Sequence, residues 1–313
     1  MSAETDVRTE IVNLKMMRAP PDDYHCRCRY CVGGFKGVLV RKDGGPYKKT
    51  DRRRYYSKAE LVKTRKNEAD SGAGHIAKTP LHVARWAVQA FTRPGDWVLD
   101  PTMGAGTTGV EALNHGRNVF GVEIQFIDII EKNFAENNPH GMKYHVAHGD
   151  ARDLKAHLGV LPPDVLFNLI VNNPPYSGDE VPVVDPKLGK GGGTVGENMY
   201  TMTYDRSLPN LAFHKEGPQY WTDMLAIYTA ACERLLPGGR FVIGIKDQMR
   251  KQIPDELHRK FAELLEKIPG MAFEGVVILP HYPPTLFMST YPKRYPNARV
   301  PRHQSIIVFK KEA

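Results

Sequence analysis

The chain has 313 residues, enough to bury a full core with room for an appendage. Its 43 Lys and Arg against 35 Asp and Glu leave a net charge of +8, which favours a polyanionic partner without identifying one. No apolar run reaches the roughly 18 residues that a membrane-spanning helix needs, and the N-terminus lacks the apolar stretch of a signal peptide. The expectation is therefore a cytoplasmic protein with no membrane partner, whose four cysteines are free or metal-bound.

Residues 1–70 differ in pattern from the rest of the chain. They carry Cys26, Cys28 and Cys31, then a basic stretch that includes Arg52, Arg53 and Arg54 with Tyr47, Tyr55 and Tyr56 interleaved. Their apolar periodicity is poor, so they read as a small basic, cysteine-bearing region in contact with nucleic acid. Residues 71–313 read as one catalytic domain. Pro80–Phe91 has helical spacing, and Trp97–Leu99 is a short buried strand after the turn Pro94-Gly95-Asp96. Thr108–Asn114 reads as a helix, Asn118–Val122 as a strand, Phe126–Asn137 as a helix, and Lys143–Ala147 and Phe167–Val171 as strands. Trp221–Leu236 is a long helix that Pro237-Gly238-Gly239 should stop, followed by strand Arg240–Ile245. A helix over Ile253–Ile268 and strands Gly275–Leu279 and Ser305–Phe309 complete the pattern. Such alternation implies an α/β fold with a mainly parallel sheet and helices on both faces.

Two strings carry chemistry. In DPTMGAGTT, Asp100 ends a strand and Gly104 and Gly106 follow, as a sharp turn around a ligand requires. Hydroxyls of Thr107 and Thr108 can cap the next helix. Open α/β sheets bind ligands at the carboxyl ends of their strands. A carboxylate there repels a pyrophosphate but suits the cationic amino group of an amino-acid-bearing cofactor. Glu123, about twenty residues beyond the turn, sits where acids take ribose hydroxyls, and Asp150 follows the third strand. The third glycine of a dinucleotide-binding GxGxxG is missing, and no GxxxxGK[ST] phosphate loop occurs.

The second string is Asn173-Pro174-Pro175-Tyr176, after the strand Phe167–Val171. Two prolines lock the backbone and remove two donors. The side-chain oxygen of Asn173 and the carbonyl of Pro174 can then converge on an –NH2 group, accept its two hydrogens and leave the nitrogen lone pair free. Tyr176 offers a flat face for a planar base.

These residues resemble the S-adenosylmethionine (SAM)-dependent amino-methyltransferases that modify adenine N6 or cytosine N4 in DNA. His75–Glu123 is similar to the family's joined cofactor motifs, Asn173–Tyr176 to its [D/N/S]PPY motif, and His303–Lys310 to its last antiparallel strand. The resemblance covers about residues 75–313 and implies a Rossmann-like SAM-dependent methyltransferase fold, with a mostly parallel seven-stranded sheet and an antiparallel last strand. It implies that Asp100, Pro101, Thr102, Gly104, Gly106 and Thr107 contact SAM, with Lys78, Thr79 and Pro80 beside its amino-acid part. Glu123 would hold the ribose and Asp150 the adenine, with Ile124 and Ala151 beside them in the cofactor site, and Asn173, Pro174, Pro175 and Tyr176 would hold the target amine.

The chain also departs from the family. Thr102 stands where Phe is usual, Thr79 is an extra residue between Lys78 and Pro80, and the cofactor turn precedes NPPY, whereas many members are permuted. No long recognition domain follows the core, so recognition falls to residues 177–217, to the basic N-terminal region or to the Pro280–Arg302 loop, whose Lys293 and Arg294 suit backbone contact. Asn at the first motif position leans toward adenine N6. Cytosine N4, an RNA base amine, a protein glutamine and a non-catalytic SAM-binding DNA-binding subunit remain alternatives. A restriction companion, an orphan enzyme and a regulatory methylase would share these features.

Cys28-x-x-Cys31 with Cys26 fits a small zinc knuckle, with His25 or a distant His such as His75 as the fourth ligand. Cys232 reads as core. Oligomeric state has no signature here.

Overall fold

A computed structural model describes residues 13–17, 26, 28–40, 79–175, 207–209, 211, 217–247, 249–250, 253–280, 300–301 and 303–313. The strands are β1 (Asn13–Met16), β2 (Phe35–Val40), β3 (Trp97–Asp100), β4 (Asn118–Glu123), β5 (Tyr144–His148), β6 (Phe167–Asn172), β7 (Leu235–Ile245), β8 (Met249–Arg250), β9 (Ile253–Pro254), β10 (Met271–Pro280) and β11 (His303–Lys311). The helices are α1 (Arg29–Gly33), α2 (Leu81–Phe91), α3 (Thr107–Asn114), α4 (Ile127–Glu136), α5 (Leu154–His157), α6 (Pro218–Glu233) and α7 (Leu257–Leu265).

Nine strands form one sheet in the order β1-β2-β10-β11-β7-β6-β3-β4-β5, and β8 and β9 make a separate hairpin. Neighbours β7-β6-β3-β4-β5 are parallel, and β11 runs antiparallel to both β7 and β10. The seven strands from β10 to β5 have the topology of a Rossmann-like SAM-dependent methyltransferase. Two more strands than expected complete the sheet: β2 adds in parallel to β10, and β1 pairs antiparallel with β2. The two strands of the N-terminal region, β1 and β2, thus lie in the same sheet as β3 to β7. Its pattern is hard to read because β2 (FKGVLV) buries only a short central run, and β1 is four residues long at the sheet edge.

The central strands are apolar on both sides, so successive residues enter different cores. Leu99, Phe120, Ile170 and Phe241 pack on one face with α5, α6 and α7. Their neighbours Val98, Val119, Leu169 and Val242 pack on the other with α2, α3 and α4. With described helices covering both faces, ligands reach the layered core at the strand ends. The described helices include none long and apolar enough to cross a membrane.

Two elements differ from expectation, one being the helix expected over Ile253–Ile268, which begins only at Leu257 because Ile253–Pro254 form β9. Helix α6 ends at Glu233, and Pro237-Gly238-Gly239 lies inside β7. The register explains this: Phe167 pairs with Leu235, but Leu169 pairs with Arg240. The extra residues bulge out of the ladder, where a missing proline N–H leaves no strand bond unmade.

Candidate active site

Strands β3, β4 and β6 end side by side, and each delivers a polar residue into the core edge. Asp100 closes β3 and is almost fully buried. Burial pushes its carboxyl from the usual 3.8 up to about 7, against the opposing pull of hydrogen bonds from Asn172 and the Thr102 backbone. Glu123 closes β4, and burial raises its carboxyl as well. Its Oε2 accepts from the Gly104 N–H at 2.7 Å, and its Oε1 accepts from the Gln125 N–H at 3.0 Å. Glu123 therefore braces the glycine turn. Asn133 on α4 braces it from the other side, donating to the Ala105 carbonyl at 3.0 Å.

Gly106 occupies the N-cap of α3 with φ of 81°, a left-handed conformation that suits glycine. A Cβ there would stand 3.0 Å from the Phe134 ring. Thr107 and Thr108 are the first two residues of the helix, and the N-cap itself is Gly106 rather than a threonine.

Asn172, the last residue of β6, ties this turn to the NPP segment. It is completely buried. Its Nδ2 donates to Thr102 Oγ1 at 2.7 Å and to Asp100 Oδ1 at 3.3 Å, while its Oδ1 accepts from the Tyr228 hydroxyl at 2.8 Å. Burial keeps Tyr228 protonated, hence a permanent donor. Asn173, the next residue, turns the other way. Its Oδ1 accepts from Gln304 Nε2 of β11 at 3.0 Å. Tyr220 on α6 donates to the Pro175 carbonyl at 2.7 Å. Gly244 of β7 makes room for the Asn173–Gln304 pair: a Cβ there would lie 2.8 Å from Gln304 Nε2 and 3.5 Å from Asn173 Oδ1.

Asp150 after β5 caps the following turn through the Arg152 N–H at 2.9 Å and forms a fork with the Arg152 guanidinium. Arg152 reaches on to the Pro209 carbonyl at 3.0 Å. Ala151 is buried and Ile124 half-buried beside Glu123. Thr79 and Pro80 lead into α2, Pro80 as its N-cap. Lys78, Tyr176, Arg52, Arg53, Arg54, Lys293 and Arg294 lie outside the described residues.

The structure thus brings Asp100, Thr102, Gly104, Glu123 and Asn173 to adjacent strand ends. It also adds Asn172, Asn133, Tyr228, Tyr220 and Gln304, to which the sequence assigned no role. Gln304 lies in the polar flank His303-Gln304-Ser305 of the apolar run Ile306–Phe309, so nothing in the local sequence marked it. Cys26, Cys28 and Cys31 also converge, with His258 beside them among the described residues; His25 and His75 lie outside the described residues.

The DNA methylase family N6_N4_Mtase matches residues 37–132, which covers the cofactor-side turn and ends before Asn173. The Type II methyltransferase M.Cfr9I of Citrobacter freundii is 37% identical over 65 residues, 20% of this chain and 22% of the relative. The Type II methyltransferase M2.LlaDCHI of Lactococcus lactis subsp. cremoris is 27% identical over 133 residues, 37% of this chain and 47% of the relative. The chain therefore spans less than half the length of either relative. Among solved structures, TrmN from Thermus thermophilus is 16% identical, covers 75% of this chain and 50% of its own, and has a TM-score of 0.42. A likeness at that score adds nothing to the strand topology described above. By the family match and the curated relatives, residues 37–132 and their surroundings resemble the DNA amino-methyltransferases.

Proposed function

We propose that the chain is a SAM-dependent methyltransferase acting on an exocyclic amine of a DNA base, adenine N6 in preference to cytosine N4. The observation that carries this reading is the Asn172 bridge, which joins Asp100 and Thr102 of the glycine turn to the residue directly before Asn173. Cofactor-type acceptors and amine-type acceptors are thereby held in one rigid network.

The donor set fits SAM. Among the described residues no cation touches the desolvated Asp100 carboxylate, so an ammonium is the partner that would restore its ionisation. Glu123 and Asp150 are acceptors suited to ribose hydroxyls and to an adenine amino group. When bound, SAM supplies an electrophilic methyl on a sulfonium, a leaving group that needs no acid.

The chain's own residues do the remainder. Asn173 Oδ1 and the Pro174 carbonyl accept the two hydrogens of the target amine, which turns its lone pair toward the methyl. Gln304 uses one lone pair of Asn173 Oδ1 and leaves the second for the amine. Tyr176 stacks on a base swung out of the helix. Positioning and exclusion of water supply most of the rate. The amine proton becomes acidic after transfer, so no strong base is needed. Arg52, Arg53, Arg54, Lys293 and Arg294 hold phosphates in this reading. The family match, the Type II methyltransferase relatives and the basic stretch support DNA as substrate, and the asparagine at the first motif position supports adenine.

The test is transfer of labelled methyl from SAM to separate DNA and RNA pools, followed by nucleoside digestion and mass spectrometry. N6-methyladenine in DNA is the expected product. N4-methylcytosine changes the base and keeps the mechanism. Label confined to RNA, or no label despite SAM binding, rejects the reading.

A further inference from the structure

The tightest cluster of metal-binding side chains among the described residues lies apart from the methyl-transfer residues. Cys26 and Cys28 precede α1, Cys31 lies on it, and His258 sits in the first turn of α7. All four ligand atoms lie within 4.8 Å of one another. His258 Nε2 is 3.1 Å from Cys26 Sγ, 3.3 Å from Cys31 Sγ and 3.8 Å from Cys28 Sγ. A tetrahedral zinc with Zn–S of about 2.3 Å and Zn–N of about 2.0 Å sets sulfur and nitrogen roughly 3.6 Å apart. The three distances bracket that value. The cysteines form no disulfide, and Cys31 and His258 are buried.

Asp247 supplies the second observation. Its carboxylate oxygens lie 2.8 and 2.7 Å from His258 Nδ1, and its Oδ1 also accepts from the His258 N–H at 3.1 Å. A carboxylate only accepts, so the imidazole hydrogen belongs on Nδ1. Nε2 then presents its lone pair to the three sulfurs, the arrangement that orients zinc-binding histidines.

We propose that Cys26, Cys28, Cys31 and His258 bind one structural zinc ion and that Asp247 orients His258 for it. Four protein ligands fill a tetrahedron and leave no open position, so the site holds structure and does not hydrolyse or polarise a substrate. Binding converts the thiols to thiolates and releases their protons. The ion clips α1, directly ahead of β2, to α7. Strand β2 joins the catalytic sheet through its parallel pairing with β10, and its end at Val40 leads into the basic segment of residues 41–78. The zinc therefore anchors the near end of the proposed phosphate-binding stretch, while α2 anchors the far end. This inference rests on the cysteine–histidine geometry and stands whether or not the methyl-transfer reading does.

The full-length protein, purified without added chelator, is expected to carry one zinc per chain by elemental mass spectrometry. After chelation, cobalt should give the visible bands of a tetrahedral site and a near-ultraviolet thiolate charge-transfer band. Asp247→Asn keeps all four ligands and should weaken zinc binding about 10- to 100-fold. His258→Ala should change the cobalt spectrum through loss of its one nitrogen ligand. Chelation should raise amide exchange across residues 28–40 and leave residues 97–123 protected. Protein without stoichiometric zinc or a tetrahedral cobalt spectrum overturns the proposal, as does stoichiometric iron. Unchanged zinc affinity and spectrum in His258→Ala overturns the ligand set, and unchanged affinity in Asp247→Asn overturns the role of Asp247. Should cysteine variants fail to fold, the wild-type cobalt spectrum and Asp247→Asn still decide.

Discussion

The two halves of the candidate site use opposite kinds of acceptor. At the ends of β3 and β4 stand buried carboxylates, Asp100 and Glu123. At the end of β6 stand neutral amides, Asn172 and Asn173, with the Gln304 amide behind them. A buried carboxylate costs several kcal/mol unless a cation arrives, so it is poised for a charged ligand. A neutral amide oxygen accepts a hydrogen without drawing a proton off the nitrogen that must attack. In the proposed reading, the charge difference separates holding a cationic cofactor from presenting a neutral nucleophile, and Asn172 spans the boundary.

The strongest way to break this comparison is to truncate each half in turn. Asn173→Ala should lower kcat by roughly 100-fold, the cost typical of misplacing a reacting group, while SAM affinity measured by calorimetry stays within a few-fold. Asp100→Ala should do the converse, weakening SAM binding by roughly 10- to 100-fold through loss of a charge-assisted contact. Equal loss of SAM affinity in both variants would dissolve the distinction between the halves.

A smaller effect comes from the carboxyl of Asp100, which burial raises to about 7. In the proposed reading the ionised form binds the ammonium, so SAM affinity should rise about tenfold per pH unit up to about pH 7 and level off above it. Stability runs the other way in the free protein. The folded carboxyl titrates near 7 and the unfolded one near 3.8, so the folded state holds the extra proton between them. Stability is therefore full below about pH 4 with respect to this group and declines as pH rises through 7. Asp100→Asn should abolish both slopes and raise the melting temperature of free protein at pH 8. Parallel pH profiles for wild type and variant would remove Asp100 from the cofactor half.

Gln304→Met tests the neutral half by leaving Asn173 in place and removing its orienting donor. We expect kcat to fall roughly tenfold with SAM affinity unchanged, the loss of about 1.4 kcal/mol that one neutral hydrogen bond supports. A loss of SAM affinity instead would place Gln304 in the cofactor half.

The same physical difference explains what the sequence made legible. Val98-Leu99-Asp100, the glycine turn and the Asn173-Pro174-Pro175 segment are local: apolar run, turn chemistry and strand end fall within a few residues. Their positions could be read because backbone freedom at Gly106 and backbone rigidity at Pro174 are properties of single residues. The braces could not be read so. Gln304 reaches Asn173 across 131 positions, Tyr228 reaches Asn172 across 56, and His258 reaches Cys31 across 227. Such pairs exist only once β11 lies beside β7 and α7 packs under α1. The pair β1 and β2 was illegible for a related reason, since β2 gains its place from pairing with β10, and the edge strand β1 from pairing with β2, rather than from a strong pattern of their own. The bulge that carries Pro237 into β7 likewise depends on register with β6, against a sequence signal that reads as a helix stop.

Gly244→Ala should give the smallest effect and the sharpest distinction. An added methyl would stand 2.8 Å from Gln304 Nε2, a contact that must be relieved, but at 3.5 Å it touches Asn173 Oδ1 without displacing it. The flexible Gln304 side chain is the part that can move. Gly244→Ala should therefore lower kcat only a few-fold and leave SAM affinity and melting temperature nearly unchanged. It acts through Gln304, so the double variant with Gln304→Met should lose little more than Gln304→Met alone, because methionine has no hydrogen bond left to disturb. Full additivity in that cycle would mean that the methyl disturbs β7 or β11 themselves, and the room at Gly244 would then serve packing between strands rather than the aim of Asn173.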